Sequence, residues 1–322
     1  MLPPKDRLTI CFAHAAYQMK ATFDALDTGV TNFELRDRDA LDQRIGEADV
    51  LVVSGLWHNG LIALGGKLRF VQSIGSGTDQ FDKAALAARG IRLASAAGVN
   101  ARAVAEHAMA MILALARRLP EARDNQAARV WRGMISDLTQ REDELGGKTL
   151  LIIGLGRIGG RLAQLAKAFD MRVVGFRRDP AAGAGAADSV HALGALPAFL
   201  PRADFVALTC PLTEETRGVI DARALGLLPR GACVVNCGRG PCVVEADLVA
   251  ALREGRLAGA AVDTTDPEPP TADSPLWGLP NLLITPHTAG ETRKYEANVI
   301  EILRENLDRI WRGEAALRNG VV

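Results

Sequence analysis

Residues 149–160 read T-L-L-I-I-G-L-G-R-I-G-G, and no other stretch of the chain restricts its fold as tightly. The apolar run 150–153 predicts a buried strand, and glycines follow it without a spacer. Gly154 opens a tight turn, Gly156 lets backbone approach a phosphate-bearing ligand, and Gly159 allows the next helix to close on the strand. The first N–H groups of that helix lack partners within it and are free to point at an anion. Apolar residues at helical spacing over 158–169 lead into a second apolar run at 172–176. A strand, a crossover helix and a strand make a unit of parallel sheet.

The same alternation extends along the chain. Apolar runs at 8–13, 50–54, 70–74, 150–154, 172–176, 205–209, 233–236, 260–263 and 282–285 predict strands, with helical spacing between them, as at 246–254. Continuous apolar strands separated by helices imply sheets covered on both faces, an α/β protein. At 322 residues the chain suits two domains of about 150 residues each. The longest helical patterns, 101–119 and 292–311, lie on either side of the glycine unit. They suggest a discontinuous domain of residues 1–100 and 286–322 with a second domain, 101–285, inserted into it. The glycine-rich segment 180–188 reads as a loop, too short for a tether.

Thirty-eight basic residues balance thirty-eight acidic ones, so no basic field favours nucleic acid or anionic lipid. The expected partner is therefore a small molecule. Five cysteines, an odd count without C-x-x-C pairing, argue against a disulfide framework and for a reducing, cytoplasmic setting. Cys233, Cys237 and Cys242 lack zinc-site spacing, and no metal is expected. The first seventeen residues hold no signal-peptide core, and Arg102, Glu106 and His107 interrupt the most apolar helix. No membrane association is expected.

The glycine turn implies a dinucleotide, and the residues after its second strand choose which one. An acidic residue there would accept hydrogen bonds from ribose hydroxyls. Here Arg177 and Arg178 stand instead, and guanidinium groups pair bidentately with a 2′-phosphate. NADP(H) is favoured, and NAD(H) stays open because Asp179 lies next in sequence.

A nicotinamide cofactor reducing a 2-oxo acid needs a cation for the substrate carboxylate, an acid for the developing alkoxide, and a group to orient that acid. Arg239 in V-V-N-C-G-R-G, His287 in T-P-H-T-A-G and Glu268 in D-P-E-P-P all follow apolar strands. A carboxylate against an imidazole fixes its tautomer and favours the imidazolium. The prolines beside Glu268 are expected to hold its loop extended and restricted.

With these motifs in order, the chain resembles the D-isomer-specific 2-hydroxyacid dehydrogenases over essentially its whole length. The resemblance rests on N-x-x-R-G at 236–240, the Asp-to-Glu-Pro stretch at 263–269, P-H at 286–287 and N-A-R-A-V-A-E-H at 100–107. It implies a Rossmann-like nucleotide domain inserted into a discontinuous flavodoxin-like substrate domain. It implies Arg239, Glu268 and His287 as catalytic residues, and Leu56, Ser76 and Gly77 as substrate-binding residues. Cofactor contacts implied beyond Gly154, Gly156, Gly159, Arg177 and Arg178 are Val104, Arg157, Ile158, Cys237 and Gly238. Asp263, Ala289, Gly290, Cys210, Pro211 and Thr216 complete that set. Two positions depart from the family pattern: Ala101 replaces a common Thr, and Arg177 replaces the usual acid. The resemblance further implies a homodimer and a D-2-hydroxy acid product from a small 2-oxo acid such as glyoxylate or hydroxypyruvate. Two alternatives stay open: a phosphite- or formate-type dehydrogenase, and a non-catalytic NAD(P)-sensing module like the corepressors built on this scaffold.

Overall fold

A computed structural model describes residues 2–322. The chain divides into two compact units, one of residues 1–100 and 292–322, the other of residues 101–291.

The terminal unit is built on a five-stranded parallel sheet. Its strands are β1 (Thr9–Ala13), β2 (Thr31–Leu35), β3 (Val50–Val53), β4 (Phe70–Ser73) and β5 (Arg92–Ala94), in the order β2-β1-β3-β4-β5. That order is the flavodoxin-like one. Side chains alternate strictly between two cores, as the period of a strand requires. Ile10, Phe12, Val50 and Val52 face one core, and Cys11, Ala13, Leu51 and Val53 face the other. The helix Tyr295–Trp311 closes the first core with Tyr295, Val299, Leu303, Leu307 and Ile310, one apolar stripe at helical spacing. Beyond it the chain pairs with the edge strand, where Val321 donates its backbone N–H to the Leu93 carbonyl at 2.8 Å.

The inserted unit carries a seven-stranded parallel sheet. Its strands are β6 (Thr149–Ile153), β7 (Arg172–Phe176), β8 (Ser189–His191), β9 (Phe205–Leu208), β10 (Cys233–Asn236), β11 (Gly259–Val262) and β12 (Leu282–Ile284). The order β12-β11-β10-β9-β6-β7-β8 reverses direction between β6 and β9. This is the doubly wound nucleotide-binding arrangement, with its crevice at the carboxyl ends beside that switch point. Leu151, Ile153, Val206 and Val234 pack into one core. Leu150, Ile152, Ala207 and Val235 pack into the other, against the helices Ala101–Ala116 and Arg157–Ala168.

Three differences from the sequence reading have physical causes. The helix read over 101–119 is two helices, Ala101–Ala116 and Leu119–Ala127, divided at Arg118, whose φ is 49°. Pro120 cannot donate to the preceding turn and its ring collides with it, so the second helix starts afresh there. The last helix begins at Tyr295, not 292. Residues 286–291 belong to the inserted unit, because backbone N–H groups at Thr288 and Ala289 are held by Asp263 of that unit.

Candidate active site

The glycine turn is set by steric contact in the inserted unit. Gly154 has φ +100°, and a Cβ there would lie 2.6 Å from the Cys210 backbone. A Cβ on Gly159 would lie 2.4 Å from the Gly154 carbonyl oxygen and 2.9 Å from Ile152. Only glycine lets the helix Arg157–Ala168 close on β6 at this distance. Gly156, the residue before that helix, faces open space and receives no side-chain cap. An exposed helix start beside an open glycine backbone suits a pyrophosphate.

A cavity of about 300 Å³ opens from this turn. Gly154, Gly156, Arg177, Arg178, Cys210, Pro211 and Thr216, all expected to contact the cofactor, lie on its wall. The Thr216 hydroxyl donates to the Pro211 carbonyl at 2.7 Å and fixes that part of the rim. The Cys210 thiol is held protonated by its contact with Cys242, 4.0 Å away, and by burial, so the wall is neutral there. Arg177 is half-buried and donates from Nη1 to the Gly183 carbonyl at 3.2 Å, while Arg178 is exposed. Asp179 spends one carboxylate oxygen on the Ala181 N–H at 3.0 Å, capping the turn Pro180–Ala182. Leu193, Thr213 and Glu215 also line the cavity and were not singled out from sequence. Leu193 follows the short strand β8, which the sequence did not reveal, and Glu215 sits in an ordinary polar turn.

Arg239, Glu268 and His287 follow β10, β11 and β12, which are neighbours in the sheet, so all three leave its carboxyl edge side by side. Asn236 shapes the first loop: its side-chain oxygen accepts from Gly238 N at 3.0 Å and its amide donates to the Arg239 carbonyl at 3.0 Å. Arg239 is exposed and donates from Nη1 to the Gly238 carbonyl at 2.8 Å. A Cβ on Gly240 would stand 2.0 Å from the Thr265 carbonyl oxygen, so the Arg239 loop presses on the loop that carries Glu268. Residues 266–269 are a run of bends, so Glu268 sits in a bent segment, not the extended one its prolines suggested.

His287 Nδ1 lies 2.5 Å from Glu268 Oε1. That contact places the Nδ1 proton between ring and carboxylate and leaves Nε2 free of Glu268. His287 has φ 55°, in the left-handed region that histidine enters more readily than most residues with a β-carbon. Asp263, only 3% exposed, supports the turn. Its Oδ1 accepts from the Thr285 hydroxyl at 2.6 Å and from Thr288 N at 3.0 Å, and its Oδ2 accepts from Ala289 N at 3.1 Å. His107 Nε2 stands 3.0 Å from the Thr285 hydroxyl and extends this network. The sequence reading assigned no site role to Thr285 or to His107.

The remaining expected cofactor positions are dispersed. Val104, Cys237 and Ala289 are buried in the core against the helix Ala101–Ala116. Burial pushes the Cys237 thiol up to about 12. Arg157 and Ile158 open the helix after the glycine turn. Gly238 packs on the Cys210 carbonyl, and Gly290 follows the His287 turn. None of these lines the 300 Å³ cavity.

In the terminal unit, Leu56 follows β3 and packs half-buried on the core, while Ser76 and Gly77 follow β4 and are exposed. Backbone N–H groups of Ser76 and Gly77 have no backbone acceptor among the described residues. The base of that loop is pinned by the Tyr295 hydroxyl, which donates to the Ile74 carbonyl at 2.9 Å.

The strand order and glycine turn define a nucleotide-binding α/β protein of the doubly wound class. Residues 109–289 match the family model for the D-isomer specific 2-hydroxyacid dehydrogenase, NAD binding domain. A D-3-phosphoglycerate dehydrogenase of Methanocaldococcus jannaschii is 36% identical over 293 residues, 90% of this chain and 53% of that protein. A glyoxylate reductase of Korarchaeum cryptofilum is 35% identical, over 77% of this chain and 74% of that protein. A D-isomer specific 2-hydroxyacid dehydrogenase family protein from Aeromonas salmonicida superposes with TM-score 0.84 at 31% identity, covering 98% of this chain and 99% of that one. The chain belongs to the D-isomer-specific 2-hydroxyacid dehydrogenase family. It spans about half the length of the phosphoglycerate dehydrogenases it matches. Among the described residues no helix is long and apolar enough to cross a membrane.

Proposed function

We propose that this protein reduces a small 2-oxo acid of the glyoxylate or hydroxypyruvate kind to its D-2-hydroxy acid. The observation that carries the reading is the 2.5 Å contact between His287 and Glu268 on a turn of positive φ, one strand removed from the Arg239 loop. Glu268 holds the imidazole by Nδ1, so Nε2 is the atom that donates a proton to the substrate carbonyl oxygen. Arg239 binds the substrate carboxylate as a fixed cation and polarises the adjacent carbonyl. Taken by itself, the terminal unit carries at Ser76 and Gly77 exposed backbone N–H groups with no backbone acceptor among the described residues, which suit a carboxylate, and at Leu56 a half-buried apolar substrate contact. The hydride comes from a nicotinamide cofactor, which the glycine turn and its open cavity fit. NADP(H) is the favoured form: Arg177 and Arg178 border the cavity while the nearby Asp179 carboxylate caps a turn.

The test is cofactor consumption over glyoxylate, hydroxypyruvate, pyruvate and phenylpyruvate, with D-3-phosphoglycerate oxidation included because longer relatives carry that name. His287→Ala should lower kcat at least ~100-fold, the loss expected of a general acid, while cofactor affinity holds. Undiminished turnover in that variant would refute the assignment. A protein that binds cofactor yet turns over none of these acids would instead favour a nucleotide-sensing module.

We also propose a cytoplasmic homodimer. Five buried free cysteines support a reducing setting. Trp131 and Met134, each 99% exposed, with Val130 and Leu138 beside them, form an apolar arm that a second copy would cover. Sedimentation velocity should give twice the chain mass, and a Trp131→Glu variant should give the monomer. A wild-type monomer at micromolar concentration would end this reading.

A further inference from the structure

A cavity about twice the size of the one at the glycine turn lies beside it in the inserted unit. It shares Leu193 with that cavity and measures about 610 Å³. One wall is the helical stretch after β8, the other the segment leading into the helix Ala222–Leu227. Its lining combines an apolar floor with a ring of charge. Leu196, Leu200 and Leu227 supply the floor. Arg178, Arg217 and Arg223 supply three exposed guanidinium groups, and none of them has an ion-pair partner among the described residues.

Two carboxylates share the rim, Glu215 and Asp221. Asp221 already accepts the Ala224 N–H at 2.8 Å, which ties it to the helix start. The remaining balance is cationic. Unpaired guanidinium groups over an apolar floor suit a ligand with an anionic head and an apolar body. Nothing in the proposed reduction uses this space. Arg178, Leu193 and Glu215, however, line both cavities, so whatever binds here shares a wall with the nucleotide.

We propose that this cavity is an effector site for an organic anion, a phosphate or carboxylate carried on a ring or branched apolar body. Occupancy draws on Arg178 and so weakens cofactor binding from the neighbouring cavity. The coupling rests on the assignment of Arg178 to the cofactor; the site itself does not.

Calorimetric titration of the free and the NADPH-saturated protein with phenyl phosphate, benzoate and inorganic phosphate tests both statements. At least one aromatic anion should bind saturably to both forms, and inorganic phosphate about tenfold or more weakly for want of an apolar body. The tighter of the two aromatic probes identifies the head group. The double variant Arg217→Gln, Arg223→Gln alters only exposed side chains and should weaken that probe at least about tenfold, with NADPH affinity within about twofold of wild type. No saturable binding, undiminished binding by the double variant, or binding abolished by NADPH would overturn the site. The saturating probe should raise the Kd for NADPH at least about threefold, and an unmoved Kd would overturn the effector role while leaving the reductase reading intact.

Discussion

The two units solve the same folding problem, a parallel sheet with a core on each face, and use its carboxyl edge differently. In the inserted unit the turns at that edge are jammed. Gly154, Gly159, Gly238 and Gly240 each sit where a β-carbon would come within 3 Å of other atoms, mostly backbone. His287 is held at φ 55° by a buried carboxylate. In the terminal unit the corresponding glycines are roomy: Gly55 meets nothing within 4 Å, and the nearest atom to a Cβ on Gly77 is 3.8 Å away. At these positions glycine serves close packing in the inserted unit, with Gly156 the open exception, and accessible backbone in the terminal unit. A dinucleotide with a rigid pyrophosphate rewards a preformed cradle, whereas backbone donors for a carboxylate need only be exposed.

Substitution sharpens the contrast. Gly240→Ala should have the largest effect, because the added carbon overlaps backbone that cannot move like a flexible side chain. A cost of ~3 kcal/mol or more is expected, roughly a 6–12 °C fall in Tm for a unit of this size. An unchanged melting curve would mean that the edge of the inserted unit is not jammed. A charge substitution comes next. Arg177→Asp should move cofactor preference from NADPH toward NADH by ~10- to 100-fold in kcat/KM, with stability little altered. Equal use of both cofactors before and after would remove the proposed cofactor selectivity from this edge. Gly77→Ala should be the mildest, within ~0.5 kcal/mol of wild type by denaturant unfolding, since the site is open and its φ is not left-handed. A loss comparable to that of Gly240→Ala would erase the distinction between the units.

Which elements were legible follows a simple physical rule. The nine strands read as apolar runs are all present. The three missed, β2, β5 and β8, are all sheet edges. The fourth edge, β12, is as short and half-buried as β8 yet reads as an apolar run, so what hid the other three is their polar residues: Thr31, Asn32 and Glu34 in β2, Arg92 in β5, Ser189 and His191 in β8. Their pairing comes from a neighbour's hydrogen bonds, not from their own hydrophobicity. The break at Arg118 was likewise hidden, since apolar spacing runs through it and only Pro120 marks the interruption. Arg239, Glu268 and His287 were legible as candidates because each proposed chemical role calls for a particular side chain after a strand. Thr285 and Glu215 were not, because hydroxyl and carboxylate groups in polar turns are commonplace until a partner is seen.

The amino-acid order alone determined the parallel α/β class, the glycine turn and the identity of the ionisable trio, since burial periodicity and chemical necessity are written locally. Only the tertiary structure decided that β10, β11 and β12 stand side by side, that Asp263 serves the turn carrying His287, and that a second cavity shares a wall with the first. Those relations depend on strand order and on packing between residues far apart in sequence, which no local pattern encodes.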